Sequence, residues 1–154
     1  MSDRVMRDMK AVDSDEIENL DVIESLFFAY RDFVGDPDNI LFEYGFGRAH
    51  HRVLYFVCRR PGLTVAELLN TLKITKQSLA RVLKQMLNAE YITQIEGKND
   101  RRKRLLFPTA KGRDLVLKLS SPQSERISRA LSGLDEQQRE TILTFLHQMR
   151  GNKR

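Results

Sequence analysis

The stretch Thr75 to Asn88, TKQSLARVLKQMLN, limits the possible folds more than any other part of the chain. Leu79, Val82, Leu83, Met86 and Leu87 recur at i, i+3, i+4, i+7 and i+8, a single apolar stripe of an α-helix. Gln77, Arg81, Lys84 and Asn88 lie opposite, with Ser78 and Gln85 beside them. Such side chains either meet solvent or read base edges and phosphates. The flanking sequence decides between these readings.

Upstream, Thr64-Val65-Ala66-Glu67 is a T-x-x-E capping box opening a short helix with the stripe Val65, Leu68, Leu69 and Leu72. Only Lys73-Ile74-Thr75 separates the two helices. Paired short helices with a tight joint form a helix-turn-helix, whose second helix enters the major groove of DNA. That assigns a recognition helix over 75–90. Thr75, Lys76, Gln77, Ser78 and Arg81 stand at its leading end, and Lys84 and Gln85 follow.

Downstream, Tyr91 to Pro108 reads as a β-hairpin. Ile92 and Ile95 mark one strand, Leu105 and Phe107 the other, and Gly97-Lys98-Asn99-Asp100 supplies the turn. Lys98, Arg101, Arg102, Lys103 and Arg104 crowd its tip, with Asp100 as the lone acid. Such a density of like charge calls for a counter-anion. A hairpin directly after a helix-turn-helix is a wing, and its cations over 97–104 can reach phosphates or a narrow minor groove.

Charge along the 154 residues agrees. Residues 1–47 carry 4 basic and 12 acidic side chains, a net of −8, whereas residues 48–113 carry 15 and 4, a net of +11. A middle third this basic points to a polyanion. Lipid is the poorer candidate, since no helix pairs the basic residues with a bulky exposed apolar face. Hydrophobic residues at 41% and charged ones at 31% suit a folded soluble chain. No apolar run approaches the roughly 18 residues of a membrane span. The acidic N-terminus is no signal peptide, and the single Cys58 fits a reducing cytoplasmic setting.

The arms are helical by pattern. Residues 1–16 read as a frayed arm. A helix is expected from Ile17 to Val34, capped by Asp13, Ser14 or Asp15 and ended by Gly35-Asp36-Pro37. Leu20, Ile23, Phe27, Tyr30 and Val34 line it, while Val22, Leu26, Phe28, Ala29 and Phe33 widen the stripe to both sides. One small domain cannot cover such a helix on two sides, so a second subunit is expected. A further helix should run from about Phe42 or Gly45 to Arg60, with Phe46, Ala49, Val53, Leu54 and Val57 inward. After the hairpin, Thr109-Ala110-Lys111-Gly112 opens a helix that Ser121-Pro122 should kink or restart. Ile127, Ala130, Leu131 and Leu134, then Ile142, Phe145, Leu146 and Met149 behind an Asp135 cap, are expected to be buried in helix pairing. The organisation is thus a mainly α (α+β) winged helix-turn-helix. It comprises arm 1–16, dimerisation helix 17–44, DNA-binding lobe 45–112 and C-terminal dimerisation helices 113–154.

This order, with the wing segment Asp100-Arg101-Arg102, Leu105 to Pro108 and Thr109-Ala110-Lys111-Gly112, resembles the MarR family of winged-helix transcriptional regulators. Pro108 stands where that family's trailing motif usually has leucine. The stretches GFGRAHHRVLYFVCRRPGLTVAELL and ITKQSLARVLKQ are similar to the PetP-like branch. The resemblance implies a homodimer with interlocked terminal helices, bound to a pseudo-palindromic double-stranded DNA operator. It also implies Arg102 as the minor-groove arginine, with Asp100 bracing it or a neighbouring arginine.

Other chemistry is sparse. His50 and His51 point about 100° apart on a helix and make a poor chelate. No metal site, cofactor, nucleophile elbow or phosphate loop is expected, and so no enzyme. Arg59 and Arg60 follow Cys58 and could lower its pKa, but a buried structural thiol is the expectation. A small-molecule effector would find a pocket around Tyr30, Arg48, His50 and Cys58. The rival reading is a winged-helix interaction module that binds an acidic protein instead of DNA.

Overall fold

The computed structural model describes residues 2–151. Residue 1 of the expected arm and residues 152–154 of the expected C-terminal segment lie outside the described residues. The chain divides into two compact units, residues 1–35 and residues 36–154.

The first unit holds α1 (Asp3–Asp8) and α2 (Leu20–Gly35). A short helix therefore stands within the stretch read as a frayed arm. The second helix starts three residues later than its pattern suggests. Asn19 takes the left-handed conformation at φ 63° and delays the first turn. The acids expected to cap it form a separate turn, in which Glu16 and Ile17 N–H both donate to Asp13 O. No residue of α2 is buried within the single chain, and Phe27, Phe28 and Tyr30 are more than half exposed.

The second unit contains α3 (Asp38–Glu43), α4 (Arg48–Arg59), β1 (Leu63–Thr64), α5 (Val65–Leu72) and α6 (Lys76–Asn88). β2 (Ile92–Glu96), β3 (Arg104–Pro108), α7 (Ala110–Leu131) and α8 (Glu136–Met149) complete it. The expected second helix is α4, which starts at Arg48, later than either Phe42 or Gly45; Gly45, at φ 69°, separates it from the short α3. Val53, Leu54 and Val57 of α4 are fully buried, and they pack with Leu68 of α5, Leu79 and Val82 of α6, and Leu106 of β3. Burial of these side chains, about 1.5–3 kcal/mol each, is what fixes α6 on the body.

The sheet runs in the order β1-β3-β2, all antiparallel. Ile92 pairs with Pro108 and Glu96 with Arg104, as the hairpin pattern requires, while β1 adds Leu63 against Leu106. The hairpin passes into α7 through a close approach. Thr109 Oγ1 accepts the Gly112 N–H at 3.0 Å and donates to the Glu90 carbonyl at 2.6 Å. A Cβ on Gly112 would lie 2.0 Å from the Tyr91 carbonyl oxygen, so the T-x-x-G spacing is a steric requirement.

Pro122 does not break α7, which continues from Ala110 to Leu131. Proline removes one backbone donor there, and Ser121 Oγ turns back to donate to the Leu117 carbonyl at 2.7 Å. Leu115, Val116 and Leu119 anchor the first half of α7 in the core. Asp36 binds the second half, accepting from Arg126 Nε at 2.6 Å and Nη2 at 2.8 Å. The late apolar residues expected to be buried are exposed in the single chain. Ile127, Leu134, Ile142, Phe145, Leu146 and Met149 all reach solvent, since α8 buries no side chain within this protomer.

Candidate nucleic-acid interface

The leading end of α6 is set by its caps. Thr64 Oγ1 accepts the Glu67 N–H at 3.1 Å, and Glu67 Oε2 accepts the Thr64 N–H at 2.9 Å, which completes the capping box of α5. That helix ends at Lys73, left-handed at φ 51°, whose N–H donates to Leu69 O. Two residues on, Thr75 caps α6: its Oγ1 accepts the Ser78 N–H at 3.1 Å and donates to Ser78 Oγ at 3.0 Å. Lys76, Gln77, Arg81 and Lys84 project to solvent, while Ser78 is half-buried beneath them. The positive end of the helix dipole and three cations thus share one exposed segment.

The wing is a tight, locked loop. Gly97 N–H donates to Lys103 O at 2.9 Å, and Lys103 N–H donates to Asp100 O at 3.1 Å. A Cβ on Gly97 would sit 2.7 Å from the Asp100 carbonyl, so only glycine fits. Asp100 Oδ1 accepts both the backbone N–H and Nε of Arg102, whose side chain is 93% exposed. Arg104 reaches across the strands to Glu96 at 3.0 Å. Asp100 is therefore not the only acid that tempers the wing. Lys98, Arg101 and Lys103 are exposed and pair with no acid among the described residues.

Gln85 behaves differently from its neighbours. Its carboxamide oxygen lies 2.5 Å from His50 Nε2, so it turns from the outer face of α6 toward α4. His50 is buried, as is His51, whose Nε2 lies 3.5 Å from Ser120 Oγ on α7. The adjacent pair thus serves two different packing contacts. No cluster of metal-binding side chains occurs among the described residues.

The other residues expected around an effector, Arg48, Cys58 and Tyr30, each have surroundings of their own. Arg48 forms a bidentate ion pair with Asp38, at 3.1 and 2.8 Å. Cys58 lies ten residues along α4 from Arg48, about 15 Å away at the helical rise. Burial pushes the Cys58 thiol up, with the Arg113 charge acting the other way, which favours the unreactive protonated form. Tyr30 belongs to the first unit, where it lines an apolar groove with Ile23, Leu26 and Phe27.

Residues 44–103, which span α4 to the wing, match the model of the MarR family. Those residues form a MarR-family domain. The chain is 46% identical over 108 residues to the HTH-type transcriptional regulator PetP of Rhodobacter capsulatus; the match covers 70% of this chain. That match spans 65% of the PetP relative's length. A MarR-family transcriptional regulator from Listeria monocytogenes, solved in complex with a 26mer DNA, superposes with a TM-score of 0.71. The match covers 95% of this chain and 99% of that one at 21% identity. A MarR transcriptional regulator from Methanosarcina mazei gives 0.67, over 83% and 92% of the two chains at 26% identity. The winged helix-turn-helix expected from the sequence is thus the MarR fold. No helix of the described residues is long and apolar enough to cross a membrane.

Proposed function

We propose that this chain, with its MarR-family domain, is a sequence-specific DNA-binding transcriptional regulator that acts as a homodimer. Each protomer lays α6 in a major groove and the wing over 97–104 in the flanking minor groove. The observation that carries the reading is the coincidence, in one compact unit, of an exposed recognition-helix face with a locked cationic wing. Arg81, Lys76 and Gln77 contact bases or phosphates. Thr75 and Ser78 set the helix end, Lys84 meets the backbone, and Arg102 enters the minor groove. Lys98, Arg101 and Lys103 supply charge, and the Arg48-to-Arg113 net of +11 supports this assignment. The exposed apolar faces of α2 and α8 support the dimer.

Selection of bound sites from random duplexes, followed by titration of the selected site, tests the reading. Two half-sites one helical turn apart are expected. Arg81→Ala should weaken binding to the selected site by about 1–3 kcal/mol, the range of a good bidentate base contact. A protein that shows no salt-dependent affinity for any duplex overturns the reading and favours an acidic protein partner instead.

A further inference from the structure

The apolar stripe of α6 seats it in the core through Leu79, Val82, Leu83 and Met86, and a polar bond beside that stripe adds a directional restraint on its outer face. Gln77, Arg81 and Gln85 follow one another at spacings of four, along a single ridge of α6. A bond that holds any one of them therefore sets the aim of the others. Gln85 has such a bond, to His50 on α4.

The direction of that bond follows from the other ring nitrogen. The Gly47 N–H donates to His50 Nδ1 at 3.0 Å, so Nδ1 carries a lone pair and not a proton. The neutral imidazole must then carry its hydrogen on Nε2, which donates to Gln85 Oε1. One side chain thus closes the first turn of α4 and holds the recognition helix. The ring itself is clamped: Phe46 stacks on it with centroids 4.8 Å apart and planes 15° from parallel. Tyr91 meets Phe46 edge-on at 5.3 Å, and Lys111 Nζ covers the Tyr91 ring at 4.3 Å.

We propose that His50 is a positioning residue for DNA readout, a strut that fixes the rotation of α6 through Gln85 and so aims Arg81 and Gln77. This rests on the DNA-binding reading above. Gln85 accordingly acts inward, through its oxygen, and not as a base contact.

The test separates the strut from the cap. His50→Asn keeps an acceptor at the Nδ1 position for Gly47 but ends short of Gln85. Gln85→Leu removes the acceptor and leaves the cap intact. Each should lower affinity for the selected site about three- to tenfold, the worth of one net hydrogen bond. The double variant should lose no more than either single one. His50→Gln, which offers an acceptor and a donor in succession as the imidazole does, should recover most of the affinity. Affinity of His50→Asn for random duplex should stay at the wild-type level. Amide exchange of residues 85–88 should quicken in both single variants without a change in global unfolding. If the losses simply add, or if wild-type exchange and affinity persist in both, the strut is refuted. A wild-type protein that binds no duplex, with the exchange response still present, instead refutes the DNA-binding reading.

Discussion

Asp100 holds Arg102 at two points, accepting its backbone N–H at 3.0 Å and its guanidinium Nε at 3.3 Å through one carboxylate oxygen. The first bond shapes the turn and the second aims a fully exposed side chain. The Arg102 guanidinium is almost wholly solvent-facing and Asp100 only half-buried, so this ion pair contributes little to folding. On the proposed DNA-binding reading, its value lies in pre-ordering a long cation for the duplex. Asp100→Ala should therefore reduce duplex affinity several-fold while the thermal midpoint moves by less than about 2 °C. Fluorescence anisotropy and a melting scan on the same variant decide this. Unaltered affinity would remove Arg102 from the proposed interface.

How far the sequence announced this arrangement depended on element length. The α5–α6 pair was legible because each helix carries a full apolar stripe and a polar cap, and Thr64, Glu67 and Thr75 occupy the expected positions. The wing was legible because Gly97 and Asp100 bracket a turn between two short segments rich in β-forming residues, although only Ile92 and Leu106 of these strands are buried. β1, only two residues long, carries no periodicity, and it exists because Leu63 finds Leu106 from a distant part of the chain. Gly45 marked a possible helix start, but nothing local announced the short α3 that precedes it. The His50-to-Gln85 bond spans 35 positions, and spacing along one helix cannot reveal it. Pro122 does not restart the helix for a related reason: tertiary anchoring by Leu119 and Arg126 on either side keeps α7 continuous.

Gly112 should be intolerant of any side chain. Its Cβ would lie 2.0 Å from the Tyr91 carbonyl, which is backbone and cannot swing away, and 3.2 Å from Leu54 in the core. Gly112→Ala should destabilise the fold by about 3 kcal/mol or more, at the upper end for overpacking. Urea unfolding with the slope held against wild type measures it. A loss under about 1 kcal/mol would mean that the junction between β3 and α7 can open freely.

Stability should fall in two acid steps. Burial lowers the His51 pKa, so the folded state binds fewer protons than the unfolded chain. That contribution is complete above the ordinary histidine value of about 6.5 and is lost as pH drops below it. The Arg126 hydrogen bond holds the Asp36 carboxyl below its ordinary range. Its contribution is present above about pH 3.9 and disappears as pH falls through the lower folded value. His51→Gln should flatten the upper step alone, and Asp36→Asn should shrink the lower step alone, part of which belongs to Asp38, held down in the same way by Arg48. Urea midpoints taken from pH 8 to pH 3 would expose a wrong assignment if either variant kept the wild-type slope in its window.

The apolar side of α2 gives the dimer its sharpest test. Ile23, Phe27 and Tyr30 are 39%, 72% and 61% exposed in a single chain, and Leu26 completes the groove that they line. So much aromatic and aliphatic surface at one place exceeds the scattered exposure normal for a monomer. A charge placed at its most exposed member leaves the protomer's own packing untouched. Phe27→Arg should therefore convert a particle of twice 17.9 kDa into one of 17.9 kDa in sedimentation equilibrium, with helical content retained. Affinity for a palindromic site should fall with it, because two linked recognition helices gain from effective concentration that a lone protomer lacks. A variant that sediments as the wild type does would place the subunit contact elsewhere, and α8, with Phe145 and Met149 exposed, would be the next surface to substitute.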